Sequence, residues 1–260
     1  MTSISSVSVR RQADRTAVLA SLAGTTAIAW IVTVQLANGR SMPVGSMDGS
    51  SAMPSAAPQF LFVSAMWAAM MVGMMVPSAT PMVVAFADWT RRGPTSGSRP
   101  AAVGSFLSGY VLVWLGFSLL AAILQVALER VSLLTTMGAI SRPGLSGTVL
   151  VLAGLFQVTP WKESCLRRCR TPVGFLIAEW RDGSRGAVVM GIRHGVYCLG
   201  CCWALMAVLF VVGTMHLAWM ATVAGFVLVE KLAPRSLRVS HAAATFLVGW
   251  GAWTLLAAGA

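Results

Sequence analysis

The chain has 260 residues, of which 57% are hydrophobic and only 10% are charged, and its mean hydropathy is +0.75. Soluble globular domains carry roughly 25% charged residues, so this composition excludes a water-soluble enzyme and a disordered chain. The sequence therefore predicts an integral membrane protein. Its net charge of +11 would indicate nucleic-acid binding in a soluble protein, but basic residues also gather in the cytoplasmic loops of membrane proteins.

Seven segments are candidates for membrane spans, each of which needs ~20 mostly apolar residues. In chain order they are 17–36, 60–87, 101–128, 145–160, 187–212, 217–229 and 241–258. The fourth and the sixth segments are short for the full hydrocarbon thickness. We expect an all-α transmembrane helix bundle of about seven spans, which forms a single integral membrane domain over residues 1–260.

The distribution of basic residues predicts the orientation of this bundle. With the N-terminus in the cytoplasm, 16 Lys and Arg residues fall on the inner side and only Arg40, Arg130 and Arg142 on the outer side. We therefore expect a cytoplasmic N-terminus and an outer C-terminus in the cell's inner (plasma) membrane. The membrane topology then explains the positive net charge, and binding to nucleic acid is not needed to explain it. The expected partners are the lipid bilayer, a metal ion, and either other membrane subunits or a second copy of this chain.

The second segment is rich in methionine. It holds six of the chain's fifteen methionines, which are Met66, Met70, Met71, Met74, Met75 and Met82. At about 100° per residue, Met66, Met70 and Met74 share one stripe of a helix. Thioethers are soft ligands that suit Cu(I), whereas methionine is also a flexible apolar residue that fills gaps in a core. Metal passage and simple packing both remain open for this stretch.

The five cysteines fall into two groups. Cys165 and Cys169 lie just inside the membrane, whereas Cys198, Cys201 and Cys202 follow His194 in the fifth segment. His194, Cys198 and Cys201 have i, i+4, i+7 spacing, which places them on one helical face. Cys165 and Cys169 are also four residues apart, so two such helices that meet would supply several soft ligands. This inventory suits Cu(I) or, in a closed Cys/His site, Zn²⁺. Packing of cysteine as a small apolar residue and redox thiol chemistry remain open.

Outside the methionine stretch and the two cysteine groups, the sequence has few motifs with polar or small residues. Glu230 and Lys231 end the sixth segment, where we expect a local ion pair or an interface anchor. Ser105 and Gly109 form a small-xxx-small pair that favours close helix packing. The sequence has no G-x-S-x-G motif, no phosphate-binding loop and no carboxylate pair of the kind used in hydrolysis, and we do not expect an enzyme.

Four stretches together resemble the bacterial family of predicted metal-binding integral membrane proteins (domain of unknown function 2182). They are 67–82 (WAAMMVGMMVPSATPM), 153–169 (AGLFQVTPWK with CLRRC), 194–206 (HGVYCLGCCWALM) and 230–232 (EKL). The resemblance covers the chain from about residue 60 to 235 and leaves out the first and last spans.

The resemblance implies a polytopic membrane protein with a metal site. The residues that the resemblance assigns to this metal site are Cys165, Cys169, His194, Cys198, Cys201 and Cys202, together with Met70, Met71, Met74 and Met75 of the methionine stretch. Members often have a methionine- and histidine-rich first outer loop, whereas this chain has Met42, Met47 and Met53 there and no histidine.

The leading hypothesis is a membrane protein that binds a soft transition metal, with Cu(I) favoured and zinc as the second choice, for transport or delivery. Met74 and Met75 should lie at a depth similar to that of Cys201 and Cys202. The alternative is a helper subunit of a membrane complex with a structural zinc site or a redox thiol site.

Overall fold

A computed structural model describes residues 2–39, 56–91, 99–135, 137–234 and 238–259, with side chains for 15–37, 57–91, 101–135, 137–234 and 238–259. These residues form helices and no β-sheet, which confirms the all-α class. The helices are α1 (Thr2–Gly39), α2 (Ala56–Thr90), α3 (Arg99–Arg130), α4 (Pro143–Phe156), α5 (Pro160–Arg170), α6 (Pro172–Glu179), α7 (Gly183–Val212), α8 (Leu217–Leu232) and α9 (Val239–Gly259). Met42, Met47 and Met53 lie outside the described residues, as do Arg40, Arg92 and Arg235 of the orientation argument.

Five helical segments are long and apolar enough to cross a membrane. They are Arg15–Ala37, Ala57–Thr90, Ala101–Arg130, Gly183–Val212 and Val239–Gly259. Large apolar side chains cover much of their outer surface; Leu120, Phe246 and Trp253, for example, are 66%, 61% and 73% exposed. Such a surface is unfavourable in water, and it is compatible with insertion into a bilayer.

The fourth and sixth predicted spans differ from the expected straight helices. In place of one helix over 145–160, α4 ends at Phe156, and the chain bends by 62° before α5 begins at Pro160. Pro160 favours this break because it lacks a backbone N–H, and the Thr159 hydroxyl caps α5 by accepting from the Lys162 N–H.

The sixth predicted span corresponds to α8, which has 16 residues. Its length is about 24 Å at 1.5 Å per residue, which is shorter than the ~30 Å hydrocarbon layer. If the bent pair of α4 and α5 is counted as one span, the described residues contain up to six candidate membrane spans. The count of seven spans and the orientation therefore stay predictions.

The packing of α3 against α7 is unusually close. A Cβ atom on Gly109 of α3 would lie 2.2 Å from the Val188 carbonyl oxygen, and one on Gly191 of α7 would lie 2.0 Å from the Phe106 carbonyl oxygen. Only glycine permits this approach of the two backbones, and small residues at helix contacts are typical of membrane bundles. The expected close packing at Gly109 is confirmed, and it fixes the position of Tyr110 beside α7.

Candidate metal centre

Cys198 of α7 lies where four helices meet. Its sulfur is 2.9 Å from the Lys231 Nζ of α8 and 3.1 Å from the Tyr110 hydroxyl oxygen of α3. The Lys231 ammonium also donates to the Ser78 hydroxyl of α2 at 2.8 Å. The Tyr110 hydroxyl donates to the Met75 carbonyl oxygen at 2.9 Å. The thiol therefore has polar partners on α3 and α8, and α2 joins this network through Ser78 and Met75, although all of these side chains lie in the buried core.

Two more thiols of α7 adjoin Cys198. The Cys201 and Cys202 thiols each donate to the Cys198 carbonyl oxygen at 3.0 Å, and the side chain of Cys202 interacts with those of Cys198 and Cys201. All three are at most 1% exposed. Because residues three and four apart are neighbours on a helix, α7 presents a continuous group of thiols to the bundle interior.

Helix α5 brings the second cysteine group to the first. Cys169 is buried, and its side chain interacts with that of Cys201. Cys165 lies one turn earlier, against Gly200 of α7, where a Cβ atom would come within 2.9 Å of the Cys165 sulfur. A larger residue at position 200 would therefore displace this thiol. The two groups that are 29 or more residues apart in the sequence meet at one place, and all five cysteines are free thiols.

His194 lies beside the thiols in an aromatic environment. Its ring stacks on that of Tyr110 at 5.7 Å between centroids and contacts Phe106 and Phe175 at 6.1 and 5.6 Å. Its Nδ1 atom is buried and has no hydrogen-bond partner among the described residues. Within the part of the chain that the structure describes, no three His, Cys, Asp or Glu side chains are already arranged as ligands of one ion.

The four methionines singled out in α2 are all in the core. Met70, Met71, Met74 and Met75 are at most 2% exposed. The Tyr110 hydroxyl contacts both the Met75 carbonyl oxygen and the Cys198 sulfur, so the methionine stretch and the thiol group lie at the same level of the bundle. Burial at these positions is equally expected of packing residues and of soft ligands.

The expected local pairing of Glu230 and Lys231 is wrong. The Glu230 carboxylate instead accepts from the Lys162 ammonium of α5 at 2.6 Å, and both side chains are only 1% exposed. It also accepts from the Ser240 hydroxyl at 2.6 Å, and Lys162 donates further to the Gln157 amide oxygen. Neither side chain extends outward as an interface anchor would, because both are buried against neighbouring helices.

Sequence reasoning missed Lys231, Tyr110 and Ser78 as neighbours of the thiols. The sequence did contain a signal for Lys231, because an ionisable residue in an apolar segment indicates a functional site at which it has a polar partner. For Tyr110 and Ser78 there was no such pattern. Their role depends on which helices meet, and this is a property of the tertiary structure alone.

Comparison with known proteins gives one family. The model of a family described as copper chaperone (PpoB2) matches residues 64–254, which includes most of α2, all of α3 to α8, most of α9 and all the cysteines. No curated protein matches, and no solved structure matches. The match supports a copper-related family, in agreement with the copper preference of the leading hypothesis, and it does not support the particular family name drawn from the motifs. This chain belongs to the copper chaperone family.

Proposed function

We propose that this protein binds Cu(I) as its cargo through the thiol group formed by Cys169, Cys198 and Cys201, with Cys165 and Cys202 beside them. One observation carries the proposal: α5 and α7 bring four buried cysteines together, with the partly exposed Cys165 beside them, in a member of the copper chaperone family. Thiolates are the ligands that Cu(I) prefers among protein side chains. Burial protects Cu(I) from water and from oxidation, and the chain supplies polar contacts to hold a charged sulfur.

The methionines of α2 extend this proposal to movement of the ion. Met70, Met71, Met74 and Met75 place thioethers in the core of the bundle, and Met75 lies at the level of Cys198. Thioethers bind Cu(I) more weakly than thiolates do, because they are uncharged. A copper ion would therefore pass by ligand exchange from Met70 and Met71, which the predicted orientation places nearer the outer face than Met75, to the thiols. In the predicted orientation this direction is inward across the plasma membrane.

Elemental analysis of the purified protein tests the proposal. Wild type, grown with copper, zinc, nickel and iron, should retain close to one equivalent of copper. The C198S/C201S variant should lose it, whereas Met190→Leu, a conservative change at another buried position of α7, should keep it. A well-folded wild type that retains no copper under any of these conditions would overturn the proposal.

The same experiment separates the alternative functions. Zinc in place of copper, together with loss of the folded protein in C198S/C201S, would indicate a structural zinc site. Metal-free protein whose thiols disappear on mild oxidation and return on reduction would indicate a redox thiol protein. Each alternative also predicts that leucine at Met70 and Met74 has no effect on copper handling.

A further inference from the structure

The charges around the thiol group are not balanced by carboxylates. Lys162 is paired with Glu230 at 2.6 Å, so this neighbouring lysine is already neutralised. Lys231, in contrast, contacts a thiol and a hydroxyl, at 2.9 Å from the Cys198 sulfur and 2.8 Å from the Ser78 oxygen. No carboxylate pairs with Lys231 within the described residues. Its ammonium is therefore the cation that faces the thiols of α7.

A buried cation at this distance changes which metal complexes the site can hold. We take Cys198 and Cys201 as the two thiolates and Cys169 as a neutral thiol. A Cu(I) ion bound by these two thiolates has a net charge of −1, and the nearby Lys231 ammonium brings the total to zero. A Zn²⁺ ion bound by the same two thiolates is neutral, and Lys231 then leaves a net charge of +1 in the core. Uncompensated charge is strongly disfavoured away from water.

We infer that Lys231 determines the selectivity of the site, and that it favours monovalent soft cations, Cu(I) and Ag(I), over divalent ions. This inference rests on the proposed function, because it needs metal at the cysteines. Lys231 acts as a positioning residue and not as a ligand: its ammonium stays beside Cys198 and donates to the sulfur while the metal binds. Ser78 holds the ammonium from the opposite side, so the charge remains at the site.

In the metal-free protein the contact between Lys231 and Cys198 has a second role. The ammonium stabilises a Cys198 thiolate in advance of metal binding, because the ion pair replaces the water that a buried sulfur lacks. Removal of Lys231 leaves a thiol that is neutral when protonated, and a neutral thiol is tolerated in an apolar core. Variants at this position should therefore fold.

The test compares the affinities of the full-length protein in detergent for Cu(I) and for Zn²⁺, each measured by competition with a chelator. Lys231→Leu and Lys231→Gln remove the charge, and Lys231→Arg retains it. Leucine is used because methionine would add a thioether ligand. We expect the ratio of Cu(I) to Zn²⁺ affinity to fall by about tenfold or more in both neutral variants, since a unit charge at this range contributes over 1.4 kcal/mol at intermediate dielectric. The arginine variant should retain most of the wild-type ratio.

The outcomes distinguish the inference from the proposed function. An unchanged ratio in Lys231→Leu and Lys231→Gln, with Cu(I) still bound, would overturn the role of Lys231 and leave the copper site intact. If the ratio of Cu(I) to Zn²⁺ affinity falls as far in Lys231→Arg as in the neutral variants, the shape of the side chain and not its charge matters. That result would also overturn the role of Lys231. Absence of Cu(I) binding in wild type would overturn both.

Discussion

Glu230 and Lys231 are consecutive residues of α8, and their side chains enter separate polar networks. Glu230 accepts from Lys162 of α5 at 2.6 Å, whereas Lys231 donates to Cys198 of α7 at 2.9 Å. The Arg170 Nε of α5 also donates to the Glu230 carbonyl oxygen at 2.9 Å. The end of α8 therefore ties the two cysteine-bearing helices together, and the thiol group depends on this contact for its position.

Removal of one partner of the buried ion pair should strongly destabilise the folded state. Lys162→Met leaves the Glu230 carboxylate without its cation, and removal of one partner of a buried pair destabilises a protein by about 3–5 kcal/mol. The double variant K162M/E230Q removes both charges and should recover much of this loss. Thermal unfolding in detergent measures both effects.

An exposed ion pair provides the control for this experiment. Arg193 and Glu179 form a salt bridge in which Arg193 is 44% exposed, so Arg193→Ala should change the stability by no more than about 1 kcal/mol. If K162M/E230Q is as unstable as the sum of its single variants, the ion pair is not the source of the stability.

The close contact of α3 and α7 should tolerate no added methyl group. Gly109→Ala places a Cβ 2.2 Å from the Val188 carbonyl oxygen, and overpacking of this kind costs about 1–3 kcal/mol, on the order of 5 °C in Tm. Gly116 on the same helix has no atom within 4 Å of an added Cβ, so Gly116→Ala should remain close to wild type. Equal melting temperatures for the two variants would contradict the described packing.

The two cysteines of α5 should differ in their importance for copper. Cys169 is buried and interacts with Cys201, whereas Cys165 is partly exposed and lies against Gly200. We expect Cys169→Ser to lower the copper content of the purified protein more than Cys165→Ser does. The reverse order, determined by elemental analysis of folded variants, would move the centre of the site towards Cys165.

The methionine stretch should affect copper movement but not copper retention. M70L/M74L removes two thioethers at nearly constant volume, so the fold and the thiol site should persist while the transfer of copper into cells or vesicles slows. Met220→Leu replaces a buried methionine of α8 and serves as the matched control. Transfer at the wild-type rate in M70L/M74L would leave packing as the role of these methionines.

The sequence predicted the helical class and the meeting of the two cysteine groups, and the reasons are local. The i, i+4 spacing of Cys165 and Cys169 and the i, i+3 spacing of Cys198 and Cys201 determine which thiols share a face before any tertiary contact forms. The same spacing argument placed His194 with these thiols, and its ring stacks on Tyr110, whose hydroxyl contacts the Cys198 sulfur. The other neighbours of this ring are Phe106 of α3 and Phe175 of α6, which spacing within α7 could not predict.

The depth of side chains in the bundle was not predictable. Hydropathy marked the end of the sixth segment as a membrane boundary, and Glu230 and Lys231 were therefore expected to form a local ion pair or to reach the interface. Both side chains are instead buried, with Glu230 against Lys162 of α5 and Lys231 against Cys198 of α7. The break between Phe156 and Pro160 was missed for a related reason, since an apolar run does not show where a helix turns within the protein.

X-ray absorption at the copper edge of the copper-loaded protein is the decisive test of copper binding by the thiols, because it identifies both the oxidation state and the ligand atoms. We expect Cu(I) with a shell of sulfur atoms only, and loss of this shell in C198S/C201S but not in Met190→Leu. A shell of nitrogen or oxygen atoms, or a spectrum that C198S/C201S leaves unchanged, would contradict copper binding by the thiols.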